Sequence, residues 1–225
     1  MKVVGVDGCR DGWVAVVWSD RVEVRFCASL AEVSALARDA TVIGIDMPLG
    51  LPDDGTRRPE ALARRLLQNR KSSVFNAPVR GVLATANYDE ANEVSRRRGG
   101  VGLSKQSYGL VEKIREVDRW HAAAPCRVVE IHPEVAFSAL TGSAHLPSKK
   151  SWHGALVRLR ALAKVGLVLE DALDDLLSRA AVDDVLDAAV VAWSARRVAR
   201  GEGISLPPEN EAEKDATGVT MAIWY

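Results

Sequence analysis

Short β-branched or alternating apolar runs at residues 2 to 7, 12 to 18 and 21 to 28 open the chain, separated by Gly8-Cys9-Arg10-Asp11-Gly12 and by Ser19-Asp20. Runs of this length, punctuated by turn residues, predict three antiparallel strands joined by two hairpins. Ser29 followed by Glu32 is a capping-box signature, and Leu30, Val33, Leu36 and Ala37 share one helical face behind it. The next run, 41 to 46, is apolar between Thr41 and Asp46 and contains Gly44, which fits a strand covered on both faces. The predicted order is therefore β-β-β-α-β.

Met47 to Pro59 carries three prolines and two glycines and reads as a loop. Helical periodicity then runs through 59 to 69, about 88 to 97, and 106 to 121, a mainly helical insertion at about 52 to 122. A fifth strand at 127 to 131 ends at His132-Pro133, and helix resumes over Glu134 to Leu140 because proline suits a first helical position. Further helices are predicted at 151 to 165, 170 to 180 and 183 to 200. Gly201 and Gly203 close the last of these. Pro207-Pro208 with Glu209 to Asp215 reads as a polar connector, and Val219 to Tyr225 as a strand-like terminus. The whole chain, 1 to 225, is expected to form one α/β domain with a mixed central sheet and flanking helices.

The 225 residues are 48% apolar, and thirty basic side chains balance thirty acidic ones. No whole-molecule field draws such a chain to nucleic acid or anionic lipid, so any polyanion site has to be local. No apolar run reaches the roughly 18 residues of a membrane span. Cys9, Cys27 and Cys126 lack CxxC spacing and no apolar leader follows Met1-Lys2, which suggests reduced thiols in a cytoplasmic protein.

The chemistry concentrates in acids placed where an acid is costly. Asp184 and Asp187 lie three apart, on one face at the head of a helix that is otherwise almost wholly apolar as far as Trp193. Asp7 and Asp46 each end a strand-like run, at the carboxyl edge of the expected sheet. Carboxylates gathered in a partly dehydrated site repel, so protons or cations must neutralise them, and hard Mg2+ or Mn2+ ions suit an all-oxygen set. His121, His132, His145 and His153 show no paired spacing for zinc. Asp7, Asp46, Asp184 and Asp187 are the candidate metal ligands. Structural readings compete: Asp183 or Asp184 as a helix cap, Asp7 before Gly8 as a turn residue, Asp46 as an Asx turn. Capping explains Asp187 poorly, since it lies inside the helix.

Glu130 ends the fifth strand as Asp7 and Asp46 end theirs, and joins the catalytic candidates; His132 is either a proton shuttle or a hydrogen-bonding structural residue. Between Arg57 and Arg80 seven basic residues face only Glu60, a local charge of +6. Arg57, Arg58, Arg70, Lys71, Ser73 and Arg80 are the candidate phosphate contacts, with Arg96-Arg97-Arg98 a second basic patch; a solvated arginine-rich helix face is the plain alternative.

The opening hairpins with a strand-end aspartate, the second acid on the fourth strand and the late D-x-x-D-A helix, here Asp184 to Ala188, resemble the ribonuclease H-like superfamily, particularly its Holliday-junction resolvase branch. Resolvases commonly carry glutamate on the fourth strand, where this chain has the shorter Asp46. Over nearly its full length the chain is similar to a family of bacterial and archaeal proteins of unknown function described as predicted ribonuclease H-like nucleases. The shared blocks run from Gly5 to Trp13, Asp46 to Leu51, Arg70 to Phe75, Lys113 to Asp118, Glu130 to Glu134, Ser148 to Lys150 and Met221 to Tyr225. The resemblance implies a ribonuclease H-like sheet and metal-dependent phosphodiester hydrolysis. Asp7 would bridge two ions, Asp46 with Asp184 or Asp187 would complete the shell, and Glu130 would be additional. Nucleic acid is the expected partner, without a membrane, and a homodimer is allowed. Two other readings stand beside it: ATP binding on the related actin-like and sugar-kinase fold, and nucleic-acid binding without catalysis.

Overall fold

Valine-rich runs at the head of the chain close into β1 (Val3–Cys9), β2 (Gly12–Trp18) and β3 (Val22–Cys27). In this computed structural model, which describes residues 1–169 and 179–225, β1 and β2 pair antiparallel with Cys9 opposite Gly12. Arg10-Asp11 is thus a two-residue hairpin loop. Helix α1 (Leu30–Leu36) follows, but Ser29 makes no side-chain cap; instead the Glu32 carboxylate accepts the Ala28 N–H at 3.1 Å. The chain then enters β4 (Val42–Ile45), parallel to β1 with Val6 beside Ile45.

The helical stretch after β4 contains α2 (Arg58–Leu67), α3 (Tyr88–Gly99), α4 (Lys105–Tyr108) and α5 (Val111–Trp120). The single helix expected over 106 to 121 is broken at Gly109-Leu110, where the poor helix propensity of glycine meets the end of a short turn. Strand β5 (Arg127–Ile131) returns parallel to β4, with Glu130 beside Ile45. Pro133 opens α6 (Pro133–Thr141), as its fixed backbone angle favours. Then come α7 (Trp152–Lys164) and α8 (Val182–Ala199), with the short strands β6 (Ser205–Leu206) and β7 (Ile223–Trp224) near the end. The helix expected at 170 to 180 lies, apart from its last two positions, outside the described residues.

These elements form two compact units. The first comprises Met1–Met47, Ala123–Ile204 and Trp224–Tyr225; the second comprises Pro48–Ala122 and Ser205–Ile223. The first is a mixed α/β unit whose strands run in the order β3-β2-β1-β4-β5. Helix α8 lies across β1, β4 and β2, burying Ala188, Ala189, Val190, Val191 and Ala192 with Val3, Val14 and Val16. Gly5 makes this approach possible: a Cβ there would stand 2.1 Å from the Ala192 nitrogen and 2.2 Å from the Ala188 oxygen. Gly44 does the same on β4, where a Cβ would meet the Val191 side chain at 2.9 Å. Small residues on strand and helix thus set how near α8 comes to the strand ends.

In the second unit Val79, Val82, Ala91, Leu103 and Val111 form a separate core. The segment expected to be a polar connector is built into this unit through Asp215. Its carboxylate accepts from the Leu51 amide at 3.0 Å, from Thr217 Oγ1 at 2.7 Å and from Arg80 at 2.5 Å. Burial works against the charge, but these bonds prevail and hold the Asp215 carboxyl down at about 2.

A carboxylate cluster at the strand ends

Parallel pairing of β1 and β4 brings Asp7 and Asp46 side by side, because Val6 stands level with Ile45 and the Asp46 amide donates to the Val6 carbonyl at 2.9 Å. Side chains alternate along a strand, so Asp7 shares the face of Gly5, and Asp46 that of Gly44, which is the face α8 covers. Asp187, one turn into α8, is 2% exposed and stands on this side of the sheet. Three carboxylates from three elements therefore lie toward one region, and the charges of Asp46 and Asp187 both act on Asp7.

The electrostatics record that convergence. Burial, then the charges of Asp46 and Asp187, push the Asp7 carboxyl well above the usual carboxylate range. Asp46 is raised likewise by burial and by Asp187, and it shares a side-chain hydrogen bond with Asp7. Two carboxyl groups can bond to each other only through a proton, and a cation between them would replace it. Burial lifts Asp187 to about 6 despite an opposing pull from Lys149.

Lys149 is the residue that sequence reasoning missed. Its Nζ donates to Asp187 Oδ2 and stands 4.0 Å from Asp183. Burial disfavours its charge, but Asp187, Asp7 and Asp46 together raise its pKa above the ordinary lysine value. It is thus a fixed positive charge inside the acid cluster. The family block Ser148 to Lys150 marked this segment, yet nothing in its local pattern indicated a partner in α8.

The other predicted acids stand apart in different ways. Asp184 accepts the Ala181 N–H at 3.0 Å and so acts at the helix start, while its charge still reaches Asp7. Glu130 is level with Ile45, not with Asp46, and alternation turns it to the sheet face opposite α8; its charge nevertheless raises Asp46. On the α8 side, Glu134 is instead held by Arg158 at 2.9 and 3.0 Å.

The predicted phosphate contacts divide. Arg57 is buried and donates to Glu60 at 2.6 and 2.8 Å and to the Leu49 and Gly50 carbonyls, so it braces a loop and presents no charge to solvent. Arg80 is shared between Asp118 and Asp215. Arg58 is exposed and pairs with Glu211; Lys71 is exposed; Ser73 Oγ donates to the Arg70 carbonyl. Arg57 and Arg80 looked like free charge because their partners are short-range in one case and distant in the other.

The residues fit a hard divalent cation by donor chemistry. All the convergent donors are carboxylate oxygens, and Asp187 Oδ1 is buried without a hydrogen-bond partner. Among the described residues, no group of three or more His, Cys, Asp or Glu side chains already stands at mutual ligand spacing. Side-chain rotation about Asp7, Asp46 and Asp187 would have to bring the oxygens together.

Fold and site together define a mixed α/β protein with a buried acid cluster at the edge of its central sheet. The chain belongs to the family DUF429, a protein family of unknown function, which matches residues 5–212. No curated protein and no solved structure matches the chain. Among the described residues, no helix is long and apolar enough to cross a membrane.

Proposed function

We propose that this protein is a ribonuclease H-like, metal-dependent nuclease acting at the Asp7, Asp46 and Asp187 cluster. The observation that carries the reading is the convergence of three carboxylates from β1, the end of β4 and α8, with Asp187 Oδ1 unpartnered. The β-β-β-α-β order and the late acid-bearing helix support the superfamily reading. Asp7, Asp46 and Asp187 would hold Mg2+ or Mn2+, with Asp184 contributing its charge from the helix start. A bound ion would supply Lewis acidity toward a phosphoryl oxygen and the leaving oxygen of a phosphodiester. Lys149 keeps its proton across the neutral range and would stabilise negative charge developing on the phosphate. Exposed Lys71 and Arg96 to Arg98 give the second unit positive charge for a phosphate chain.

The test is purified protein with Mg2+ or Mn2+ on branched DNA, RNA/DNA hybrid and single strands. The proposal expects cleavage of at least one substrate and its loss in Asp7→Asn. Wild-type protein that leaves all of them intact, at any metal concentration, defeats it.

A further inference from the structure

The second unit contains a cavity of about 280 Å³ whose walls come from two separated stretches, residues 55–79 and 95–107. These are the stretches that carry the two basic patches of the sequence. The cavity is at the small end for a ligand site, and Thr56, Arg64, Asn76, Ser95, Ser104 and Ser107 give its wall polar groups.

Three side chains give it a chemical preference. Phe75 is half-buried, lines the cavity and has no ring partner among the described residues. Asn76 is fixed by Arg64, which donates to its Oδ1 at 2.5 Å and to the Val74 carbonyl at 3.0 Å. That bond orients the Asn76 amide, whose nitrogen has no protein acceptor among the described residues. Arg96 is exposed and lies against Gly102 on the cavity wall; a Cβ at Gly102 would meet its Nε at 3.3 Å. An aromatic side chain and an oriented amide in the wall, with an exposed cation packed on the wall residue Gly102, suit a planar, hydrogen-bonding ligand with an anionic group.

We infer that this cavity binds a nucleotide, with the base against Phe75, its polar edge on Asn76 and its phosphate toward Arg96. The choice of a nucleotide among aromatic anions rests on the nuclease reading above; the aromatic and anionic character does not. In a nucleic-acid strand the occupant is an unpaired base, because only an unstacked base can present its face to a phenyl ring.

The experiment titrates the full chain with AMP, adenosine and inorganic phosphate by nuclear magnetic resonance, in chelator so that neither metal nor cleavage contributes. AMP binds most tightly. Phe75→Leu weakens both AMP and adenosine about tenfold, the order of a lost base–aromatic stack. Arg96→Gln weakens AMP and leaves adenosine unchanged. Thr56→Trp, which plugs the cavity from an exposed wall position, removes binding of both while the melting temperature stays at the wild-type value. Absence of AMP binding to wild type overturns the inference, as does AMP binding to Thr56→Trp with wild-type affinity. A chain that cleaves nucleic acid with Mn2+ but binds no AMP loses this inference alone. One that binds AMP in the cavity and never cleaves loses the nuclease reading alone.

Discussion

Replacing Lys149 by methionine isolates the charge that the acid cluster depends on. The ammonium is charged across pH 5 to 9: its folded pKa is raised, so the stability it contributes is present below the ordinary lysine value and is lost only above that. The pH dependence of the substitution therefore comes first from Asp187, which is bonded to Lys149, with Asp7 and Asp46 acting in the same direction. With Lys149 present, Asp187 titrates at about 6, so both proteins hold it mostly protonated at pH 5.5 and the lost charge matters little there. At pH 8 wild type ionises Asp187 against Lys149, whereas the variant must keep it protonated. Each pH unit above 6 then costs about 1.4 kcal/mol. Two units give about 3 kcal/mol, and since the Lys149 side chain is 30% exposed the expected loss is about 2 kcal/mol. For a chain of this length that is a fall in melting temperature of about 4 to 8 °C. Thermal melts of both proteins in chelator at pH 5.5 and pH 8 provide the assay, and millimolar Mn2+ should restore much of the loss at pH 8. Equal melting temperatures at pH 8 would refute the assignment of Lys149 as counter-charge. An equal loss at both pH values would show that packing, not charge, was removed.

Asp215→Asn should cost about 2 kcal/mol at neutral pH, by urea unfolding. Its depressed pKa means that this stability is present above about 4 and disappears as pH falls toward 2, so the gap between variant and wild type should close there. Gly5→Ala should cost at least about 3 kcal/mol or prevent folding, because the added methyl would strike α8 backbone atoms; a melting curve like that of wild type would show the strand and helix to be farther apart. Arg57→Met should destabilise by about 3 to 5 kcal/mol, leaving Glu60 buried and unpaired, whereas Lys71→Gln should change stability by less than about 0.5 kcal/mol and instead weaken nucleic-acid binding at low salt. Denaturation and filter binding on the same preparations separate these two roles.

Periodicity and turn chemistry made the strands and most helices of the first unit legible, because short valine-rich runs and an apolar helix leave few other ways to bury their surfaces. Asp7 and Asp46 could be expected together, since strand-end acids on neighbouring parallel strands fall side by side. Asp187 stood out as a charge in an apolar helix. Lys149 did not, because its loop carries no period and its hydrogen-bond partner Asp187 lies 38 positions on, in α8. Glu130 shows the reach of strand alternation: a one-residue offset against Asp46 turns it to the other face. Counting charge between Arg57 and Arg80 overstated what is offered to a ligand, since Glu60, Asp118 and Asp215 take up two of those guanidinium groups. The Asp215 segment looked like a connector because its order comes from distant donors, Leu51 and Arg80, and not from any local repeat.

Mn2+ binding followed by electron paramagnetic resonance measures whether the acids at the strand ends share a cation. Wild type should remove free Mn2+ from solution, more strongly at pH 8 than at pH 5.5 because raised carboxyls must first lose their protons, while Asp7→Asn and Asp187→Asn should each bind at least about tenfold more weakly. Binding that is absent at millimolar Mn2+, or equal in wild type and both variants, would contradict a shared cation.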